Sequence, residues 1–214
     1  MAARPHRRRA AGGGIVLSAV VALILAAGAS HRLGRPKALI RLPGGDTLLT
    51  RAVQAARGAG TTVFVTVSPG RADVVAAAGE TGATLVEVPD ADSGMSASLR
   101  AGVSAAQACA ADALLVLLVD QWRVETADLL RLLAAWREDT SRVVAAAYAG
   151  TVGAPAVFGR AHFGLLATLH GDAGARDYLR DPANGVRTVD LPPAAVDLDL
   201  IDDTAALQDR SLGV

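Results

Sequence analysis

The sequence VVALILAAGASHRLGRPKAL, from Val20 to Leu39, decides the fold of the chain. Its apolar, largely β-branched opening, Val20 to Leu25, predicts a buried β-strand. Small residues follow, and then a basic segment with Arg32 and Lys37. Open α/β sheets bind ligands beyond the carboxyl ends of their strands, and small residues let a phosphate approach the backbone. Successive N–H groups and the two cations therefore predict a polyphosphate site in the loop after the strand.

The loop does not match the two common nucleotide-binding motifs. The sequence contains neither Gly-x-x-x-x-Gly-Lys-Ser/Thr nor Gly-x-Gly-x-x-Gly. Residues 25–37 instead resemble Leu-Ala-Ala-Gly-x-Ser-x-Arg-x-Gly-x-x-Lys, the signature of MobA-like NTP transferases. The resemblance implies an α/β, Rossmann-like (GT-A-type) three-layer sandwich with a mostly parallel central sheet. It also implies nucleotide contacts from Leu25, Ala26, Ala27, Gly28, Ser30, Arg32 and Lys37, of which Arg32 and Lys37 are also catalytic.

Composition bounds the class of protein. The 214 residues suit one α/β domain, and 51% hydrophobic with only 3% aromatic residues predicts a core of Ala, Val and Leu. Basic and acidic residues number 21 each, and aromatic residues for base stacking are scarce, so we expect no nucleic-acid partner. The lone Cys109 excludes an intrachain disulfide framework and fits a reducing, cytoplasmic location.

The N-terminus allows two interpretations. We expect residues 1–19 to form a disordered basic tail and residues 20–210 to form the nucleotidyltransferase domain. Arg4 to Arg9, the apolar run Ile15 to Ala29 and the small residues near its end also have the layout of a secretory signal. Cleavage after Ala29 would remove the predicted phosphate loop. The apolar run is too short to favour a transmembrane helix, so no membrane association is expected.

Strand and helix patterns alternate along the chain. This alternation predicts a parallel sheet with right-handed crossovers. The most apolar run, Ala113 to Val119, should be a central strand, whereas Gly150 to Phe158 is glycine-rich and ends in a short strand-like run. The other predicted strands are 61–67, 83–88 and 143–148, and the predicted helices start near Leu48, Arg71, Gly94, Val124 and Ala161.

A second motif spans Gly94 to Gly102. Glycine and flanking serines before helically spaced apolar residues predict a helix N-terminus, whose free N–H groups suit an anion or a base edge. The same pattern fits a capped helix without a ligand. Gly-Met-Ser-x-Ser-Leu-x-x-Gly resembles the second nucleotide-contacting segment of the molybdenum cofactor cytidylyltransferase branch, which implies that Gly94 and Ser98 bind nucleotide.

Asp120 directly follows the strand predicted to be central. A carboxylate at that edge, beside a phosphate loop, is suited to hold Mg²⁺, although it also fits a helix cap. The family pattern there is Asp-x-Pro, and Trp122 replaces the proline. Near the end, residues 196–203 resemble Asp-Ile-Asp-Thr-Pro-Glu/Asp-Asp, and strand alternation puts Asp197 and Asp199 on one face. The resemblance assigns catalysis and Mg²⁺ to Asp120 and the second metal ligand to Asp199; a solvated acidic edge is the alternative.

Two further segments resemble the acceptor side of the family. Gly153-Ala154-Pro155 is similar to the Gly-x-Pro loop, and residues 171–176 match Gly-Asp-x-Gly-Ala-Arg. The resemblance implies that Gly153, Pro155, Asp172 and Arg176 bind substrate. From the residues alone, Asp172 and Arg176 also fit a helix ion pair.

The resemblance implies transfer of a nucleoside monophosphate from an NTP to a phosphorylated acceptor, with release of pyrophosphate. Ala26-Ala27-Gly28 resembles the cytidylyl branch, so we expect CTP as donor, the molybdenum cofactor as acceptor and Mg²⁺ as cofactor. Three alternatives stay open: a sugar or alcohol phosphate as acceptor, a nucleotide-binding accessory protein of a molybdenum enzyme without turnover, and the secreted protein considered above.

Overall fold

The computed structural model describes residues 19–28, 35–172 and 174–197. Within these residues the chain forms seven strands and six α-helices. The strands are β1 Val20–Leu25, β2 Thr62–Val67, β3 Thr84–Glu87, β4 Ala113–Leu118, β5 Val144–Tyr148, β6 Thr151–Gly159 and β7 Arg187–Asp190. The helices are α1 Leu48–Gly58, α2 Ala72–Glu80, α3 Met95–Ala108, α4 Thr126–Glu138, α5 Phe163–Ala167 and α6 Arg176–Arg180.

All seven strands belong to one sheet with the order β3-β2-β1-β4-β6-β5-β7. Strand β6 pairs antiparallel with both β4 and β5, and the other pairings are parallel. The prediction of a mostly parallel sheet is confirmed, as is the central position of the apolar strand β4. The order reverses between β1 and β4, because β1 leads to β2 on one side and borders β4 on the other.

Helices cover both faces of the sheet, which confirms the three-layer sandwich. Helices α1, α2 and α4 pack on one face and share a core with Ala22 and Ile24 of β1. Helices α3, α5 and α6 pack on the opposite face, where Val21 and Leu23 contribute to the core. Successive β1 side chains thus alternate between two apolar layers, which is why the strand reads as a continuous hydrophobic run.

The segment after β5 differs from the sequence prediction. Residues 151–159 form a full nine-residue strand rather than a glycine-rich loop with a short strand at its end. The ladder between β5 and β6 pairs Ala145 with Ala156 and then Ala146 with Gly153, so Ala154 and Pro155 lie in a bulge. A bulge tolerates proline because its residues are not all needed as ladder donors.

The C-terminal part also departs from expectation. The predicted helix from Ala161 is a 3-10 turn, Arg160–His162, followed by the short helix α5. Strand β7 was not predicted, because its pattern is short and half-exposed. Asp197 follows the 3-10 turn Pro192–Ala195 and belongs to no strand, so the predicted strand alternation is wrong at this residue.

Strand β1, the run that the secretory interpretation assigns to a signal, lies inside the sheet between β2 and β4. Its residues Ala22, Leu23 and Ile24 have no exposed surface. Across residues 19–28, 35–172 and 174–197, no helix has both the length and the apolar character needed to cross a bilayer.

Candidate functional site

The candidate site lies where β1 and β4 end side by side. Leu25 and Leu118 are paired at the carboxyl ends of these two strands, so Ala26 and Val119 continue from the same edge of the sheet. This edge is the point where the strand order reverses, and open α/β sheets form their ligand crevice at such a point. The two predicted parts of the site, the loop after β1 and Asp120 after β4, are therefore neighbours.

A buried threonine anchors the start of the loop. The Oγ1 of Thr66, on β2, accepts hydrogen bonds from the N–H of Ala26 at 3.0 Å and of Ala27 at 3.4 Å. Thr66 has no exposed surface, and Ala26 and Ala27 are 8% and 5% exposed. The Ala26 N–H is therefore used within the protein, and the Ala27 N–H makes only a long contact with the same hydroxyl. The prediction that successive N–H groups of the loop bind an anion thus rests on the residues after Ala26.

Lys37 and Asp120 are brought together from 83 residues apart. Lys37 begins a 3-10 turn, Lys37–Leu39, and its ammonium donates a hydrogen bond of 2.8 Å to Asp120 Oδ2. Their side chains are only 19% and 16% exposed, so solvent screens this ion pair less than an exposed one. Lys37 is also the single lysine of the sequence, since all other basic side chains counted among the 21 are arginines. The pair places one cation and one carboxylate at the edge where the strand order reverses, the switch point of the sheet.

The second carboxylate oxygen of Asp120 is available to bind a divalent cation. Its Oδ1 is buried and has no hydrogen-bond partner within the part of the chain that the structure describes. It is not a helix cap either, because Glu125 caps α4. A buried carboxylate oxygen without a partner is costly, and a metal ion or bound water would satisfy it. Among the described residues no three acidic, histidine or cysteine side chains form a metal-binding group. Magnesium sites often use one or two carboxylates together with substrate phosphates, so this donor set still fits.

Three predicted residues cannot be placed. Ser30, Arg32 and the proposed second metal ligand Asp199 lie outside the described residues. Gly28, by contrast, is described and exposed, and nothing lies within 4 Å of the position that a Cβ would take there. The predicted phosphate loop is therefore described only at its two ends, by residues 25–28 and from Arg35 onward.

The motif at Gly94 to Gly102 packs against the segment of residues 171–176. Gly94 has φ +100°, and a Cβ there would lie 2.5 Å from Asp172 Oδ1 and 2.7 Å from Gly171 O. Ser96 N–H donates to Gly171 O at 3.2 Å. One of the N–H groups predicted to be free at the start of α3 is therefore used to hold the 171–176 segment. Glycine is required at position 94 both by its backbone conformation and by this close approach.

Arg100 reinforces this junction. Its guanidinium donates to Leu169 O at 2.8 Å, to Ser96 Oγ at 3.2 Å and to Asp90 Oδ2 at 3.2 Å. The side chain thus ties helix α3 to the segments before and after it. The loop after β1 joins the same region, because Ala27 packs with Val88 and Ala97 in a small apolar cluster. The predicted nucleotide residue Ser98 is 6% exposed on this helix.

Two of the four predicted acceptor-side residues, Gly153 and Arg176, lie near Tyr148 at the end of β5. A Cβ on Gly153 would lie 2.6 Å from the Tyr148 hydroxyl, so the phenol lies across β6 at this glycine. Burial is the main cause that raises the pKa of Tyr148 above 10.0; Asp197 adds to the rise, and Arg180 and Arg176 oppose it. Arg176 and Gly153 therefore share a neighbour. Asp172 lies at Gly94 instead, and Pro155 is buried in the bulge of β6.

Gln121 connects this group to Asp120. Its Nε2 donates to Ala154 O at 2.8 Å and to Ala194 O at 2.9 Å, and the residue is 6% exposed. Sequence analysis missed Gln121, Thr66 and Tyr148. A polar residue inside a run of buried strand residues was the one available signal for Thr66, and the position directly after Asp120 was the signal for Gln121.

Trp122, which stands where the family has proline, packs inward. Its ring contacts the core on the α1 and α4 face, and the Arg123 guanidinium lies 4.9 Å from the ring centroid. Arg51 of α1 donates to Trp122 O at 2.9 Å and to Glu125 Oε1 at 3.0 Å. These contacts hold the turn between β4 and α4 against α1.

Comparisons with known proteins agree with this geometry. Residues 22–188 match the family model of the MobA-like NTP transferase domain. The structure of Rv0371c from Mycobacterium tuberculosis H37Rv is 31% identical, covers 90% of this chain and 99% of its own, and has a TM-score of 0.78. A manganese complex of Rv0371c from the same organism is 30% identical, with coverages of 90% and 99% and a TM-score of 0.71.

A more distant structure shares the fold alone. CMP:2-keto-3-deoxy-manno-octonic acid synthetase complexed with CTP is 18% identical, with coverages of 91% and 100% and a TM-score of 0.72. No curated protein matches the chain significantly in sequence. The family model spans most of the chain. The chain therefore belongs to the MobA-like NTP transferase family.

Proposed function

We propose that this protein transfers CMP from CTP to the phosphate of molybdopterin, the molybdenum cofactor, and releases pyrophosphate. The observation that carries the proposal is the ion pair of Lys37 and Asp120 at the switch point of the sheet. Family membership supports nucleotidyl transfer as the reaction class. The CTP complex of a protein with the same fold supports a cytidine nucleotide as donor, as does the resemblance of Ala26-Ala27-Gly28 to the cytidylyl branch.

The chain's own side chains would act mainly by position and charge. In-line displacement at a phosphorus atom needs aligned reactants and compensation of negative charge rather than a strong base. An ionised acceptor phosphate is itself the nucleophile. Lys37 would neutralise charge on the triphosphate and then on the departing pyrophosphate, and Arg32 is proposed for the same task. The ammonium of Lys37 exchanges its contact with Asp120 for a phosphate oxygen when the nucleotide binds.

Asp120 and Asp199 are the proposed ligands of Mg²⁺. A bound divalent cation would withdraw charge from the phosphoryl oxygens at the reacting centre. The unpartnered Oδ1 of Asp120 supports this assignment, and the manganese complex of Rv0371c supports a divalent metal in a protein of this family. Once Lys37 turns to the nucleotide, Asp120 presents two oxygens without a protein cation, which favours binding of a metal.

Pyrophosphate release tests the proposal. Purified protein is incubated with CTP, GTP, ATP or UTP, with Mg²⁺ or Mn²⁺, and with molybdopterin, glucose 1-phosphate or glycerol 3-phosphate. We expect turnover with CTP and molybdopterin. Lys37→Met and Asp120→Asn should lower it by about 10²-fold or more, because each removes charge at the reacting centre. Arg131→Met, on the exposed face of α4, is the control. Release with a sugar phosphate alone, or binding of nucleotide with no turnover, would favour the alternatives.

The single lysine gives an independent test of nucleotide binding. Amine-reactive labelling followed by peptide mapping reports Lys37 apart from the N-terminal amine. CTP should protect Lys37 from labelling, and the Asp120→Asn variant should label faster than the wild type, because the carboxylate that favours the charged, unreactive ammonium is lost. Equal labelling with and without CTP would contradict the role proposed for Lys37.

A further inference from the structure

Tyr148 occupies a particular place on the acceptor side. It is the last residue of β5, pairs with Thr151 at the start of β6 and is half-buried. Its hydroxyl takes the space that any side chain at position 153 would need, since a Cβ on Gly153 would lie 2.6 Å from it. The absence of a side chain at Gly153 therefore lets the phenol lie across the edge of the sheet.

The groups around this hydroxyl favour a ligand that accepts hydrogen bonds. Arg176 and Arg180, at the two ends of α6, and Asp197 are all exposed and all influence the phenol. A phenol with an ordinary pKa is already protonated near neutral pH, so the Tyr148 O–H is a hydrogen-bond donor there. A donor beside two guanidinium groups suits a ligand atom that accepts hydrogen bonds.

Gln121 links the phenol to the reacting edge. The Gln121 side chain is close enough to Tyr148 to influence the pKa of the phenol, and its Nε2 donates to the backbone oxygens of Ala154 and Ala194. Gln121 directly follows Asp120, so the bulge of β6, the turn before Asp197 and the phenol are all fixed to the strand end that carries the proposed metal ligand. Its own Oε1 is buried without a hydrogen-bond partner among the described residues.

We propose that Tyr148 is a specificity-determining residue whose hydroxyl donates a hydrogen bond to the acceptor substrate, and that Gln121 positions it. The inference rests on the proposed function and deepens it. It requires an acceptor that carries, apart from the phosphate that reacts beside Asp120, a second polar group that accepts hydrogen bonds. Molybdopterin has such atoms on its pterin ring, whereas methyl phosphate has a phosphate and no second polar group.

Conservative variants of the two tyrosines test this assignment. Tyr148→Phe removes one hydroxyl, and Tyr178→Phe, a half-buried tyrosine of α6, is the matched control. Gln121→Met keeps the approximate shape and removes the amide, and the exposed Gln107→Met is its control. Acceptor and CTP KM values are measured from pyrophosphate release, and molybdopterin and methyl phosphate binding is measured by calorimetry without divalent metal.

We expect Tyr148→Phe to raise both the KM for molybdopterin and its dissociation constant in calorimetry by about tenfold, which corresponds to the loss of one good hydrogen bond. Its CTP KM and its methyl phosphate affinity should stay within about twofold of wild type. Gln121→Met should weaken molybdopterin binding by a similar factor, and both control variants should behave as wild type. A merely structural role would instead change the CTP and acceptor constants together.

The outcomes separate the two proposals. Turnover by the wild type with an unchanged molybdopterin KM in Tyr148→Phe would overturn the inference and leave the proposed function standing. Molybdopterin binding that weakens in Tyr148→Phe, with no pyrophosphate release by the wild type, would overturn the function and support the inference. No detectable molybdopterin binding to the wild type would overturn both.

Discussion

Replacement of Thr66 by valine tests how the phosphate loop is held. The substitution keeps the branched shape that suits β2 and removes the hydroxyl that accepts from Ala26 at 3.0 Å and from Ala27 at 3.4 Å. A buried donor left without a partner costs about 1–3 kcal/mol. The longer contact is at the limit of a hydrogen bond and adds little. We therefore expect Thr66→Val to lower the free energy of unfolding by about 2 kcal/mol.

The assay is urea unfolding with a matched control on the same strand. Thr62→Val, at an exposed position of β2, should change stability by no more than about 0.5 kcal/mol. With an m-value of about 2 kcal/mol/M, Thr66→Val should lower the midpoint by roughly 1 M urea without a change in m. Amide exchange at Ala26 should also become faster. A midpoint shift no larger than that of Thr62→Val would refute the claim that this hydroxyl anchors the loop.

Three further predictions concern packing, ionisation and nucleotide choice. Gly102→Ala should lower the free energy of unfolding in urea by about 1–3 kcal/mol, because the new Cβ would lie 2.1 Å from Leu23 Cδ2. The control Gly79→Ala, whose Cβ would have no atom within 4 Å, should be neutral or stabilising, and equal effects of the two substitutions would contradict the packing of α3 on β1. The raised pKa of Tyr148 means that the folded state holds the phenol proton more tightly than the unfolded state does, so this contribution to stability is present below pH 10.0 and is lost as the pH rises above that value. Tyr148→Phe should therefore make the urea midpoint fall less steeply at alkaline pH, and an unchanged slope would contradict the raised pKa. Ala27→Gly should raise the use of GTP relative to CTP severalfold in the pyrophosphate assay, because loss of the methyl group that packs on Val88 and Ala97 gives the loop more freedom to accept the larger purine. An unchanged preference would contradict a role for Ala27 in the choice of CTP.

The parts of the site that the sequence predicts are those that follow from strand ends. Val20–Leu25 and Ala113–Leu118 are continuous apolar runs, and a parallel sheet brings their carboxyl ends to one edge. This rule is sufficient to predict that Lys37 and Asp120 belong to one site. The packing of Gly94 on Asp172 also joins two motifs that were identified separately.

The missed features depend on partners distant in the sequence. A threonine inside β2 gives no sign that its hydroxyl will bind a loop 40 residues earlier. Glycine and proline are depleted in strands, so residues 151–155 read as a loop; they form a strand because β4 and β5 pair with β6 on both sides and a bulge accommodates Pro155. The glycine at 153 is explained by the Tyr148 hydroxyl, which the local sequence does not show.

A crystal structure with CTP and Mn²⁺ tests the central claim most directly, because the anomalous signal of manganese locates the metal independently of the nucleotide. We expect a manganese peak in coordination contact with Asp120 Oδ1. The triphosphate should lie between the loop after β1 and Lys37, whose ammonium should have left its 2.8 Å contact with Asp120. Nucleotide bound away from this edge, or manganese with no contact to Asp120, would contradict the central claim.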